Sequence, residues 1–300
     1  MKPAAGVINV NKPAGVTSFS VVSLVRRLSG VRRVGHAGTL DPIADGVLPI
    51  LLGSATRLVE YIVDAPKSYR ATVRLGAATD TYDSEGAVVS SGDPSGVTEQ
   101  ALRNALRTFV GEIQQLPPMY SALKHEGRPL YSYARAGKTV PREARTVTIH
   151  RLELLGVAGT DVEIELECGR GAYVRTLADD LGRLLGCGGH LVRLTRLRSG
   201  PFSLRDAVGI AQLEESAERG EWEEHLLAAD RVLESWYAVL LGKERTLDVR
   251  CGRAFALEPA LRALYPDTRC RAYSLEGELL AILHYQGDDR WRPEKVFAPL

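Results

Sequence analysis

Residues 161–185 read DVEIELECGRGAYVRTLADDLGRLL, and the fold class can be inferred from them. From Asp161 to Cys168 apolar and acidic residues alternate, which is typical of a strand with one buried and one solvated face. Two glycines then interrupt the pattern, and apolar residues recur at helical spacing from Val174 to Leu185. Half-buried strands beside amphipathic helices favour an α+β protein with a mostly antiparallel or mixed sheet.

Segments on the N-terminal side have the same character. Apolar spacing predicts a helix from Ser18 to about Leu28 that ends at Gly30, and a second helix that is capped by Thr98 and ends at Gly111. Residues 68–75 alternate between polar and apolar side chains and therefore predict another half-buried strand.

The C-terminal part has a different pattern. Beyond Trp236, short β-like segments at residues 247–251, 271–275 and 279–285 are separated by turn residues. This pattern predicts a small β-rich domain over residues 236–300, docked on a larger domain over residues 1–235.

Composition excludes several classes of protein. The chain has 300 residues, of which 45% are hydrophobic and 25% are charged, as in ordinary globular proteins. Its longest apolar run, residues 47–52, is far shorter than the roughly 20 residues that a membrane helix needs. No apolar leader follows Met1, so a cytoplasmic protein is expected. The four cysteines form no CxxC pair and the histidines are scattered, so no metal site is expected.

Charge is strongly segregated although the net charge is only +1. Seven basic residues lie between Lys124 and Arg151, whereas nine acidic residues lie between Asp206 and Glu234. The segment from about 116 to 145 also contains several tyrosines and is too long for a plain connection. Aromatic and basic side chains together favour an RNA-binding insertion. An exposed basic loop without a ligand is the alternative.

Residues 35–42 read GHAGTLDP, the densest group of special residues in the chain. Two glycines, an aspartate and a proline predict a tight loop that presents His36 and Asp41. On its own, the octapeptide is more typical of an Asp-Pro turn whose carboxylate caps the next segment, because such turns are common.

Several motifs together resemble the TruB family of tRNA pseudouridine synthases. NKPAGVTS at 11–18 and GHAGTLDP at 35–42 are similar to the first two motifs of that family. The later matches follow in family order, namely KSYR at 67–70, TDTYD at 79–83, CGRGAYVRT at 168–176 and LTRLRSG at 194–200.

The resemblance implies isomerisation of uridine to pseudouridine at position 55 in the T-loop of tRNA, with the target base flipped out and no cofactor. It also implies an α+β fold with a mixed, mostly antiparallel central sheet flanked by helices, and a PUA-like C-terminal domain. The implied oligomeric state is a monomer, which binds the T-arm and elbow of tRNA. A tRNA-folding chaperone of the same fold is the alternative function. The basic insertion and the short C-terminal domain over residues 236–300, called the tail below, disfavour a guide-dependent rRNA modifier. The lack of a phosphate-loop signature disfavours an unrelated aspartate hydrolase.

Three catalytic residues are implied by the resemblance: Asp41 as the nucleophile, Arg175 as its partner and Tyr69 as the residue that stacks on the target base. A carboxylate suits nucleophilic attack because it is ionised at neutral pH without a base. From the residues alone, Arg175 could instead pair with Asp179 one turn later, although an arginine is misplaced in the first turn of a helix. Tyr69 could equally be an ordinary core tyrosine.

The remaining predicted site residues bind substrate or RNA. For His36, Arg57, Asp83 and Leu194 the role follows from the resemblance, which assigns them to contacts with the flipped RNA, the aspartate or the base. Residues in the motifs or the basic insertion complete the set: Lys12, Tyr173, Lys124 and Arg128.

Overall fold

The structure is a computed structural model that describes residues 5–121, 123–257 and 268–297. The strands are β1 (Gly6–Lys12), β2 (Val34–His36), β3 (Ala44–Leu52), β4 (Lys67–Leu75), β5 (Ala77–Thr79), β6 (Val88–Ser91), β7 (Gly111–Gln115), β8 (Lys124–His125), β9 (Arg128–Pro129), β10 (Arg145–Ala158), β11 (Asp161–Cys168), β12 (Gly189–Ser199), β13 (Phe202–Ser203), β14 (Val208–Gly209), β15 (Ala238–Leu241), β16 (Phe255–Ala256), β17 (Arg269–Ser274), β18 (Leu279–Gly287) and β19 (Arg290–Val296).

The α-helices are α1 (Ser18–Ser29), α2 (Val59–Asp64), α3 (Glu99–Arg107), α4 (Leu130–Arg135), α5 (Val174–Leu184), α6 (Ile210–Glu218) and α7 (Lys243–Arg250). Short 3₁₀ segments are η1 (Gly53–Leu58), η2 (Leu204–Asp206), η3 (Trp222–His225) and η4 (Ala229–Leu233). The predicted α1 is confirmed together with its ends, because Thr17 accepts a hydrogen bond from the Ser20 amide and Gly30 is left-handed with φ 66°.

The large sheet has the order β14-β1-β3-β12-β4-β11-β10-β7, with β2 on β3 and β13 on β12. Its pairs are antiparallel except for β1 with β14 and β3 with β12. The predicted α+β class with a mixed, mostly antiparallel sheet is therefore confirmed. Apolar side chains of the sheet and the helices form one buried cluster, which includes Val21 of α1, Ile164 of β11 and Leu177 of α5.

The parallel pairing of β3 with β12 builds the centre of the sheet. Leu194 lies opposite Ala44, so the loop that enters β3 lies beside the middle of β12. On the other side, β12 pairs antiparallel with β4 and brings Arg196 opposite Tyr69. The register therefore gathers β12, the start of β3 and the start of β4 at one point.

The predicted insertion is a separate projection. Strands β7 and β10 pair with each other, and Gln115 lies opposite Arg145. Between these two residues the chain forms the β8–β9 hairpin and α4. The insertion thus extends from the end of an edge hairpin and leaves the sheet intact.

A second sheet has the order β15-β17-β18-β19-β16 and its own apolar cluster around Trp291 and Leu283. The segments predicted at 271–275 and 279–285 are strands, but residues 247–251 are not, because α7 covers most of them. Leu247 is exposed and only Val249 is buried, so alternation over five residues was too short to separate the two periods. The predicted tail also includes residues 258–267 and 298–300, which lie outside the described residues.

Candidate active site

Asp41 lies in the loop between β2 and β3, and this loop is held by hydrogen bonds from α1 and the segment before it. The Ser18 hydroxyl donates to the Leu40 carbonyl at 3.0 Å and accepts from the Leu40 amide at 2.9 Å. The Gly15 amide donates to the Pro42 carbonyl at 2.8 Å. The NKPAGVTS segment therefore fixes the neighbours of Asp41 on both sides, and the Asp41 side chain remains 34% exposed.

Arg175, at the start of α5, is the partner of Asp41. Its Nε lies 2.9 Å from Asp41 Oδ2, and its Nη1 lies 3.2 Å from Oδ2 of the buried Asp83. Nη2 donates to the Tyr120 carbonyl at 2.7 Å. The alternative partner Asp179 instead pairs with Arg183 at 2.8 Å. The guanidinium is thus shared between two carboxylates and the base of the insertion.

Asp83 is itself held in place by hydrogen bonds. Its Oδ1 accepts from the Thr81 hydroxyl at 2.6 Å and from the Glu85 amide at 3.1 Å. The TDTYD motif therefore forms a rigid turn that offers Oδ2 to Arg175, and this second carboxylate fixes the orientation of the guanidinium.

Opposing effects act on the ionisation of Asp41. Burial raises the pKa of Asp41, and the nearby charge of Asp83 adds to the rise, while Arg175 and Lys12 lower it. Lys12 is fully buried and donates from Nζ to the carbonyls of Pro13 and Val16 at 2.8 and 2.9 Å. Burial lowers the pKa of Lys12 to about 8, against the attraction of Asp45 and Asp41.

A cavity of about 290 Å³ opens beside Asp41 and Arg175. That volume is near the lower end for small-ligand sites, which span about 300–1,000 Å³, and is suited to a group the size of a nucleoside. Five of the predicted residues line it: Asp41, Tyr69, Tyr173, Arg175 and Leu194. Tyr69 is 9% exposed, and burial raises the pKa of its hydroxyl.

Other predicted residues lie outside the cavity lining. His36 is in β2, where its Nδ1 is buried and has no hydrogen-bond partner among the described residues. Burial and the charge of Arg196 lower the pKa of His36. Lys12 lies behind Asp41, and Asp83 lies behind Arg175.

Arg57 and the two basic hairpin residues also do not line the cavity. Arg57 donates to the Val296 carbonyl at 2.6 Å, and its guanidinium lies 5.2 Å from the ring centroid of Phe297, so it contacts the tail and not the cavity. Lys124 and Arg128 are exposed on the β8–β9 hairpin.

Two buried cations that line the cavity, Lys67 and Arg196, were not predicted from the sequence. Lys67 Nζ donates to the carbonyls of Ile62, Val63 and Ala65 at the end of α2. Burial lowers the pKa of Lys67 to about 8. Strand alternation was the available signal, because Arg196 follows Leu194 by two residues and therefore shares its inward face.

A larger cavity of about 700 Å³, the junction cavity, lies where the sheet meets the tail. Residues that line it include Tyr61, Ser68, Glu167, Arg198, Trp236 and Glu294. Ser68 lies between Lys67 and Tyr69, which line the smaller cavity beside Asp41, so β4 separates the two spaces. A register shift between Arg196 and Arg198 places these two residues of β12 at different cavities. Asp41 and Arg175 do not line the junction cavity, and we therefore assign no chemistry to it.

Across the described ranges, no cluster of three or more His, Cys, Asp or Glu side chains could hold a metal ion. In the same ranges, no helix combines the length and apolar character required to cross a membrane.

Comparison with known proteins matches residues 26–174 to the model of the TruB family pseudouridylate synthase N-terminal domain, and residues 175–236 to that of the tRNA pseudouridylate synthase B C-terminal domain. A tRNA pseudouridine synthase B of Dehalococcoides mccartyi is 42% identical over 97% of this chain and 96% of its own. This chain belongs to the TruB family.

Other TruB relatives agree. The tRNA pseudouridine synthase B of Aromatoleum aromaticum is 50% identical over 83% of each chain, and that of Burkholderia pseudomallei is 44% identical over 92% of each. A chain in the crystal structure of a Cbf5-Nop10-Gar1 complex is 27% identical, with a TM-score of 0.75 over 98% of this chain and 85% of the other. The boundary between the two TruB models falls between Tyr173 and Arg175, so both models contribute to the cavity.

Proposed function

We propose that this chain is a tRNA pseudouridine synthase that isomerises uridine 55 in the T-loop, with Asp41 as the nucleophile. The observation that carries the proposal is the Asp41–Arg175 ion pair at 2.9 Å in the wall of a nucleoside-sized cavity that Tyr69 also lines. The names of the relatives support tRNA as the substrate. The division at residues 235 and 236, the monomeric state and a cytoplasmic location belong to the same proposal.

In the proposed reaction, Asp41 attacks the target nucleoside and the N1–C1′ bond of the uridine breaks. The uracil turns within the cavity and its C5 forms the new bond to C1′. The bond between Asp41 and the nucleoside breaks, and the carboxylate is regenerated. N1 gains a proton and C5 loses one to water, so substrate and product have the same composition. No step requires a metal, a nucleotide or a redox cofactor.

The surrounding residues have distinct proposed roles. Arg175 opposes the effect of burial on Asp41 and so favours the carboxylate form that attacks. Tyr69 and Leu194 present a ring and an apolar surface to the base. The cavity lies within the protein wall, so the uridine must leave its RNA stack, and contacts with these side chains offset the cost of unstacking.

The insertion is the proposed grip on the T-arm and elbow. Its base contacts the site directly, because the Tyr120 carbonyl binds Arg175 and Ser121 lines the cavity. Its hairpin carries the exposed Lys124 and Arg128, which can pair with RNA phosphates beside an occupied cavity.

Release of tritium from C5-labelled uridine in an unmodified tRNA transcript tests the proposal. The wild type should release tritium from the single uridine at position 55, whereas Asp41→Asn should release none and keep its tRNA affinity within about threefold. Asp93→Asn is the matched control and should retain full activity, because Asp93 is exposed and does not line the cavity. Tight tRNA binding by the wild type without tritium release would favour the chaperone function. If the wild type neither bound tRNA nor released tritium, both functions would be contradicted.

A further inference from the structure

Arg196 is a buried arginine at the centre of the molecule, on β12. It is 1% exposed, and its Nε donates to the Val47 carbonyl at 2.6 Å. Its Nη2 donates to the Gly38 carbonyl at 3.1 Å. Arginine does not lose its charge in a protein, so its burial is tolerated only where hydrogen bonds replace water.

The two acceptors belong to the segment that carries Asp41. Gly38 precedes Asp41 by three residues in the same loop, and Val47 lies in β3, which the chain enters after that loop. Arg196 therefore ties both sides of the Asp41 loop to the central strand. Gly46, which pairs with Arg196 across the sheet, brings the two backbones so close that a Cβ there would lie 2.3 Å from the Arg196 carbonyl oxygen.

Arg196 also lies next to Tyr69. The two residues are direct cross-strand partners in the β4–β12 pairing, and both side chains line the catalytic cavity. The charge of Arg196 and a hydrogen bond from it lower the pKa of Tyr69, against the larger effect of burial. One guanidinium thus contacts the nucleophile loop and the residue opposite it.

The bonding of Arg196 differs from that of Arg175. No carboxylate lies within 4.0 Å of Arg196 in the part of the chain that the structure describes, and its two hydrogen bonds named above end on backbone carbonyls. A cation with this bonding fixes backbone positions, whereas Arg175 neutralises the acids beside it.

We propose that Arg196 is a positioning residue for the isomerisation, holding the Asp41 loop and Tyr69 at the separation that the reaction requires. This inference rests on the proposed function, because the positioned groups are its nucleophile and its base-contacting tyrosine. Displacement of a reacting group by about 1 Å can lower a rate about 100-fold without loss of binding.

The test compares Arg196→Met and Arg196→Lys with Arg198→Met. Arg198 is the matched control, because it is exposed on the same strand and lines the junction cavity instead. Single-turnover tritium release at saturating tRNA should fall about 100-fold in Arg196→Met and by less in Arg196→Lys. The Kd for tRNA should remain within about threefold in both, and Arg198→Met should match the wild type.

Chemical rescue provides a second measurement. In Arg196→Ala the missing side chain leaves space that opens to the cavity, so about 10 mM guanidinium should restore part of the rate, while the same concentration of neutral urea should not. If Arg196→Ala does not fold, Arg196→Lys carries the comparison, since it retains the charge and can keep one of the two carbonyl bonds.

Amide hydrogen exchange of residues 37–43 needs no substrate and separates this inference from the proposed function. Exchange should accelerate in Arg196→Met and remain unchanged in Arg198→Met, even if the wild type released no tritium. The inference would be overturned if Arg196→Met released tritium at the wild-type rate. It would also be overturned if Arg196→Met lost tritium-release rate and tRNA affinity to the same extent.

Discussion

At the scale of single residues, the site depends on how one guanidinium is divided between two acids. Arg175 contacts both Asp41 and Asp83, and Asp83 has two opposite effects on the site. Asp83 fixes the guanidinium, yet its charge also raises the pKa of Asp41. Arg175 therefore opposes the upward shift in the pKa of Asp41, while Asp83 both orients the guanidinium and adds to that shift.

Substitution of Arg175 should move the pH dependence of the reaction. Burial already raises the pKa of Asp41 and Arg175 lowers it, so Arg175→Gln should raise that pKa further. Because the proposed attacking form of Asp41 is the carboxylate, the acidic limb of the pH–rate profile should move to higher pH. The profile is measured by tritium release, with Arg183→Gln on the same helix as the control that leaves it in place. A shift to lower pH in Arg175→Gln would contradict this electrostatic assignment.

Much of the site chemistry could be anticipated at this scale, and the reason for the exceptions is physical. The family motifs pointed to Asp41, Arg175 and Tyr69, and all three line one cavity, although their roles remain predictions. Arg57 could not be placed from sequence, because its neighbours Val296 and Phe297 are some 240 residues away along the chain. The burial of Arg196 was readable from strand alternation, but its acceptors Gly38 and Val47 were not.

At the scale of elements, the contact between β3 and β12 controls how closely the Asp41 loop approaches the sheet. Gly46 has φ 101°, and a Cβ on it would also lie 2.9 Å from the Arg196 amide nitrogen. Only glycine combines this conformation with this approach. The pairing that brings the start of β3 to β12 therefore requires glycine at this position.

Gly46→Ala should lower the free energy of unfolding by about 2–5 kcal/mol, through the positive φ together with the clash. Gly111→Ala separates the two causes, because Gly111 has φ 103° but a Cβ added to it would meet no atom within 4 Å. It should cost only about 1–2 kcal/mol. Urea unfolding of both variants gives the comparison, and equal losses would show that the clash with β12 is relieved at no cost.

The insertion is an element whose proposed role is electrostatic. Lys124→Gln with Arg128→Gln should weaken tRNA binding and lower the salt dependence of log K by about 0.7–0.9 for each phosphate that is no longer neutralised. The rate at saturating tRNA should be unchanged. Arg107→Gln is the matched control, since this exposed arginine lies just before the opposite end of β7. Binding measured by filter retention from low to moderate salt decides the outcome, and an unchanged slope would remove the hairpin from the interface.

Element boundaries followed from sequence where the local signals agreed. Thr17 and Gly30 bound α1 as expected, whereas the helix expected to reach Gly111 ends at Arg107. The residues after Arg107 form a turn into β7, where Gly111 with its positive φ begins the strand. A glycine marks a change of direction, and the sequence alone did not distinguish a helix end from a strand start.

At the scale of the whole molecule, the tail packs on the large sheet through apolar and ionic contacts. Ile282 of β18 is fully buried in a cluster with Val7, Leu51, Leu58 and Ile62. At the edge of that cluster, Lys295 pairs with Glu60 and donates to the Arg57 carbonyl. Residues on both sides of the proposed division at 235 and 236 therefore share a core.

Apolar packing should dominate this docking. Ile282→Ala removes buried methyl groups and should lower the free energy of unfolding by about 2–5 kcal/mol. Lys295→Met should cost about 1 kcal/mol or less, because the carboxylate of Glu60 is 60% exposed and such pairs contribute little. Urea unfolding tests the order, and a larger loss in Lys295→Met would show that the contact is mainly ionic.

The shared core has a consequence for the order in which the chain is made. Leu279, where β18 begins, follows Leu233 at the end of η4 by 46 residues. A ribosome that adds about 5–20 residues per second takes about 2–9 seconds to cover that interval. During this time Val7, Leu51 and Leu58 have been synthesised but lack the side chain of Ile282 that completes their cluster. During synthesis the protein therefore exposes an apolar surface for a limited time. The residues of this surface do not line the cavity beside Asp41, so a chaperone that bound them would leave that cavity open.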